Sequence, residues 1–158
     1  MGPAMTMNGQ LVARTVAELR TMPQAEDLLA RLGRVVEATR TVLGVDGTGL
    51  TLICEDGQPR WVATTDAAMQ LLEEVQRDFG EGPCLTAFAE DRVVAVQDLA
   101  SELVWDRIGV VVRQLQVRGV LSVPVRLADQ PVGTLNVYAT QPRPGRQPRS
   151  RRWGRSRW

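Results

Sequence analysis

The sequence predicts an α+β domain built on an antiparallel sheet. Tight-turn chemistry closes two strand pairs, one at Glu55-Asp56-Gly57-Gln58 and one at Ala128-Asp129-Gln130-Pro131. Segments of helical period lie between these hairpins instead of alternating with single strands, which separates this plan from a doubly wound parallel sheet. The 158 residues, 44% apolar and 23% charged, can bury a core without a metal or disulfide staple.

Each element has its own local cause. Leu11, Val12, Val16 and Leu19 recur at helical spacing after Asn8 and predict a short lead-in helix. Ala25, Leu28, Leu29, Leu32, Val35, Val36, Thr39, Val42 and Leu43 keep one apolar stripe through five turns, predicting a helix over 23–43. Pro23 suits its first turn and Gly44 its left-handed stop. Thr48 to Cys54 is β-rich, and Trp61 to Thr65 is the return strand. Asp66 then caps a helix whose Ala68, Leu71, Leu72, Val75 and Phe79 share a face, with Gly80 at its end. Gly82-Pro83 opens a shorter helix with Cys84, Ala87 and Phe88 on one side, and Val93 to Val96 is a short strand. A helix from about Trp105 to Val117 turns Trp105, Ile108, Val111, Val112 and Leu115 inward and stops at Gly119. Val120 to Leu127 and Val132 to Ala139 close the domain.

Composition excludes several function classes. The chain has no histidine, which removes imidazole general bases, histidine-ligated haem, phosphohistidine and histidine-bound zinc. No apolar run reaches the ~18 residues of a membrane span, and Met1 to Gln10 carries no secretory pattern, so a cytoplasmic protein is expected. Cys54 and Cys84, thirty positions apart, fit neither a disulfide framework nor a zinc motif. Residues 141–158 hold seven arginines, three prolines and no acid, leaving residues 1–140 with twelve arginines against eighteen acids, a net charge of −6. Such a tail has too little apolar surface to offset its ordering entropy and is expected to be disordered. The expected organisation is a lead-in segment over 1–20, a domain over 21–140 and the tail over 141–158.

The segment GEGPCLTAFAEDRVVAVQDL, residues 80–99, resembles the central motif of GAF domains. So do Trp105, the run Arg118-Gly119-Val120-Leu121-Ser122-Val123-Pro124-Val125, and Pro131-Val132-Gly133-Thr134-Leu135-Asn136-Val137-Tyr138. The resemblance covers roughly residues 20–139 and is closest to the sensor half of actinobacterial GAF–ANTAR regulators. It implies an antiparallel sheet of about five to six strands with helices on both faces, the long helix on one and the middle helices covering a ligand cavity on the other. GAF domains of this type usually end in a helix that packs beside the first long helix and often builds a dimer interface. Here the arginine-proline tail stands in that place, and no room remains for an ANTAR output domain. The tail resembles an out-of-frame translation of a GC-rich gene, or a degenerate terminus.

Nine residues are candidates for a ligand pocket: Trp61, Phe79, Glu81, Cys84, Phe88, Asp98, Trp105, Ser122 and Asn136. Cys84 follows Gly82-Pro83 at a helix start, where backbone N–H groups and the dipole favour a thiolate; its other reading is a small buried apolar residue. Trp61, Phe79, Phe88 and Trp105 are core residues first and pocket walls second. Gly80, Glu81 and Gly82 either shape a ligand loop or form a helix stop and start back to back. Asp98 and Asp106 are expected to serve turns or caps. Ser122 and Asn136 lie in apolar strands, so if buried they need hydrogen-bond partners, from backbone or from a ligand.

The sequence therefore predicts a non-enzymatic GAF-type small-molecule sensor in signal transduction or transcription regulation, acting through a homodimer or a partner regulator. No catalytic residue, metal site or identified cofactor is expected, and the ligand is not named. The alternative is a thiol-dependent reductase on Cys84, similar to GAF-fold free methionine-R-sulfoxide reductases. Those carry a further cysteine in the loop that here reads Leu99 to Asp106, which has none. The arginine-tryptophan tail is either a solvated extension or a weak, salt-sensitive contact for nucleic acid or acidic membrane.

Overall fold

The computed structural model describes residues 25–143. The lead-in helix, Pro23 and the tail beyond Arg143 lie outside the described residues. The order is α1 (Ala25–Leu43), β1 (Gly47–Ile53), β2 (Pro59–Thr64), α2 (Ala67–Phe79), α3 (Pro83–Glu90), β3 (Val94–Val96), two 3-10 turns (Leu99–Ser101 and Leu103–Trp105), α4 (Asp106–Leu115), β4 (Gly119–Leu127) and β5 (Gln130–Ala139). The strands form one antiparallel sheet of order β2-β1-β5-β4-β3, with four helices, as an α+β domain requires.

Register places the side chains. Across the sheet, Val96, Val120, Tyr138 and Gly47 are aligned partners, as are Val94, Ser122, Asn136 and Gly49; Pro124, Thr134 and Thr51 form a third row. Directly opposed residues point to the same side, so these rows form one face. That face packs on the helices through Met69 and Leu72 of α2, Ala87 of α3, and Ile108 and Val112 of α4. The alternate rows carry Leu121 and Val137, which pack with Val45 just after α1.

Local causes are visible at each junction. Asp66 caps α2 by accepting from Met69 N at 2.8 Å, and Gly80 ends it with φ +66°. Pro83 starts α3, where its missing N–H costs nothing. In the first hairpin Gly57 takes φ +74° and Asp56 Oδ1 accepts from Gln58 N. The second hairpin turns on Ala128 and Asp129, both at positive φ without a glycine.

Several expectations are corrected. The last helix stops at Gln116, which takes the left-handed conformation expected of Gly119, while Gly119 begins β4. Trp105 sits in a 3-10 turn before that helix, β1 ends one residue short of Cys54, and β3 starts at Val94 rather than Val93. Among the described side chains of the α1 stripe only Val36 is fully buried, and Val42 is 82% exposed. On α2 the buried residues are Met69, Leu72, Glu73 and Gln76, whereas Leu71 and Phe79 are exposed. The inward face is thus rotated toward polar positions that a hydrophobic period does not count.

Candidate functional site

The rotation of α2 carries Glu73 and Gln76 under the sheet. Glu73 is 3% exposed, yet its two oxygens have side-chain donors only: Thr51 Oγ1 donates to Oε2 at 2.7 Å and Asn136 Nδ2 to Oε1 at 2.7 Å. Gly49 makes room for it, because a Cβ there would lie 2.9 Å from Met69 Cγ and 3.3 Å from Glu73 Oε1. Asn136 Nδ2 also donates to Thr134 Oγ1 at 3.1 Å, and Thr134 Oγ1 donates to Cys84 Sγ at 3.3 Å. From the other side Gln76 Oε1 accepts from Cys84 N at 2.9 Å, holding the start of α3 against α2. Gly82, at φ +139°, is needed here, since any Cβ would collide with the Gln76 amide.

Electrostatics follow from burial. Desolvation pushes the Glu73 carboxyl above its ordinary value, against the opposing hydrogen bonds from Thr51, Asn136 and Cys84. Desolvation and then the Glu73 charge hold the Cys84 thiol well above the usual thiol range, outweighing its hydrogen bond from Thr134. Of the two readings of Cys84, the structure agrees with the small buried residue and not the thiolate: the dipole of one short helix is outweighed by complete burial beside a carboxylate. Two polar atoms of the same face have no partner, Asn136 Oδ1 and Ser122 Oγ, both on fully buried side chains of aligned residues. The sequence left backbone or a ligand as the partner of both residues, and Asn136 bonds the Glu73 and Thr134 side chains.

Of the nine candidates, Cys84, Ser122 and Asn136 meet in this cluster. The others do not. Glu81 faces outward and accepts from Arg107 Nε at 3.0 Å, and Arg107 lies 5.0 Å from the centre of the Phe79 ring. Phe79 is therefore 37% exposed rather than a core residue. Asp98 caps the first 3-10 turn through Ala100 N and pairs with Arg118 at 2.6 and 2.7 Å, which holds its carboxyl below the usual range. Trp61, Phe88 and Trp105 are half-buried. Thr51, Glu73, Gln76 and Thr134 escaped sequence reading. The available signal was the pairing of an i, i+3 polar couple on α2 with a run of polar residues at alternate positions of β5.

No group of histidine, cysteine, aspartate or glutamate able to hold a metal occurs among the described residues. No described helix is long and apolar enough to cross a membrane.

The model of a family described as GAF domain matches residues 25–154. No curated protein matches the chain. Among solved structures, the GAF domain region of a Geobacter sulfurreducens PCA protein superposes with a TM-score of 0.61 at 16% identity, over 77% of this chain and 81% of that one. GAF3 of Slr1393 from Synechocystis sp. PCC6803, solved in its photoproduct state, gives 0.58 at 19% over 75% and 81%. A type II free methionine-R-sulfoxide reductase from Thermoplasma acidophilum gives 0.57 at 16% over 74% and 77%. At such identities the likeness speaks for the fold alone.

Proposed function

Because this chain belongs to the GAF domain family, we propose that it is a non-enzymatic small-molecule sensor whose ligand site is the polar cluster between the sheet and helices α2 and α3. One observation carries the reading: Asn136 Oδ1 and Ser122 Oγ are buried without partners on the covered face of the sheet. Native proteins rarely leave such groups unsatisfied, since each costs about 1–3 kcal/mol. A ligand that satisfies them in one arrangement of the helices and not in another shifts the equilibrium between the two. Gln76 is placed to transmit that shift, because its side chain joins α2 to the first N–H of α3, that of Cys84.

The finer assignments are proposals of the same kind. The module serves signal transduction or transcription regulation in the cytoplasm, after the sensor halves of GAF–ANTAR regulators that its motifs resemble. Exposed Val35 and Val42 of α1 supply an apolar surface for pairing in a dimer. Native mass spectrometry of the gently purified chain tests the sensor: a co-purified small molecule supports it, and a protein that carries none and binds none removes it.

The reductase reading starts from Cys84, and a free methionine-R-sulfoxide reductase is among the solved structures that share the fold. Against it stand a buried thiol shifted toward its protonated form and a second cysteine, Cys54, at the first hairpin. Thiol-dependent reduction of free methionine sulfoxide that is lost in a folded Cys84→Ser variant would establish the enzyme. Ligand binding retained in that variant, without turnover in either protein, supports the sensor.

A further inference from the structure

We infer that the ligand presents a protonated nitrogen, an ammonium group, to Glu73, Asn136 and Ser122. The inference rests on the sensor reading and deepens it by naming the ligand chemistry. Its basis is an imbalance in the cluster. Thr51 Oγ1, one Asn136 N–H and the Cys84 thiol already serve Glu73, the other Asn136 N–H serves Thr134, and Thr134 Oγ1 serves Cys84. Gln76 is spent on Leu72 O and Cys84 N. What is left over is mostly acceptor capacity: Asn136 Oδ1, which can only accept, the remaining lone pairs of Glu73, and the Ser122 hydroxyl, which can accept as well as donate.

The cluster also lacks a positive charge. The ion pairs among the described residues join arginines to partly or largely exposed carboxylates, and none of them includes Glu73. A buried carboxylate is tolerated when it is protonated or when a cation reaches it. An ammonium supplies both missing things at once, three N–H donors in a compact head and one positive charge. A ligand offering only acceptors, such as an oxyanion, would meet Asn136 Oδ1 and Glu73 with like polarity. Binding of the cation requires ionised Glu73, so affinity rises with pH through the titration of Glu73. The other titratable group facing Glu73 is Cys84 from α3, which stays protonated; the sheet contributes Thr51, Asn136 and Thr134, which do not titrate.

The test is a titration of the full chain, followed by 15N NMR at the Asn136 side-chain amide, with methylammonium chloride, tetramethylammonium chloride and sodium chloride at matched ionic strength. Methylammonium should shift the amide saturably and the other two salts should not, since neither offers an N–H donor. The midpoint should tighten up to about tenfold per unit of pH while Glu73 titrates. Glu73→Gln should weaken the response at least tenfold, and Ser122→Ala, which leaves the carboxylate in place, should weaken it severalfold if the first variant does not fold. Equal responses to all three salts, or a water bridging Asn136 and Ser122 that methylammonium does not displace, overturn the inference. A co-purified ligand without an N–H donor overturns it and leaves the sensor reading intact, whereas no ligand and no methylammonium response remove both.

Discussion

The covered face of the sheet is two surfaces under one set of helices. Beneath α4, Val96, Val120 and Tyr138 meet Ile108 and Val112 in a core that is apolar but for the Tyr138 hydroxyl, which donates to Asp66 Oδ1 at its rim. In the next two rows, Ser122, Asn136, Thr134 and Thr51 meet Glu73, Gln76 and Cys84. Both regions are equally inaccessible to water, so burial does not distinguish them. The apolar end gains stability from area removed from water and needs no geometry finer than close packing. The polar end must match each donor to an acceptor, and it leaves Asn136 Oδ1 and the Ser122 hydroxyl without partners. A region that gives up stability in this way is where ligand-dependent behaviour is expected.

The sharpest break of this contrast is Ile108→Ala at the apolar end. Deleting a fully buried isoleucine should cost about 2–5 kcal/mol in urea unfolding, by the same amount in acid and at neutral pH. Asn136→Ala at the polar end should cost about 1–3 kcal/mol, because it strips Glu73 of a donor. Its cost should grow with pH, unlike that of Ile108→Ala, and a loss that is independent of pH would contradict the role of Asn136.

Glu73→Gln isolates the charge. Since the folded value of Glu73 lies above its ordinary value of 4.5, the wild type is most stable below that value. It loses stability as pH rises, until the pH passes the folded value. The slope is at most about 1.4 kcal/mol per pH unit within that window. The glutamine variant should lack this decline, so urea midpoints of the two proteins should diverge with rising pH; parallel curves would place Glu73 outside the titrating core. The smallest effect belongs to neither end. Ala128→Gly relieves a left-handed alanine in the β4–β5 turn and should stabilise by about 0.5–1 kcal/mol in thermal unfolding, with no change in pH dependence.

Legibility in the sequence followed the same division. The hairpins, the Asp66 cap, the Gly80 stop and the Pro83 start could be read because each is set by residues within a few positions of one another. Cys84, Ser122 and Asn136 were picked out of family-like motifs, and they do converge. Phe79 was misplaced because aromatic character and helical phase suggest a core residue, while the structure turns the ring outward beneath Arg107. Glu73 and Gln76 were missed for the converse reason: a polar residue on an amphipathic helix reads as solvated until a partner from elsewhere in the chain is known. The partners here are 22 and 63 residues away for Glu73.

The sequence by itself therefore determined the α+β class, the two hairpins, most helix boundaries and the exclusion of histidine chemistry, all consequences of local propensity and composition. Tertiary structure alone decided the phase of α2, the protonation of Cys84 and the meeting of Glu73 with Asn136. The reason is physical: local signals fix which backbone bonds form, but the energy of a buried polar group depends on what surrounds it, and only the packed sheet and helices supply those surroundings.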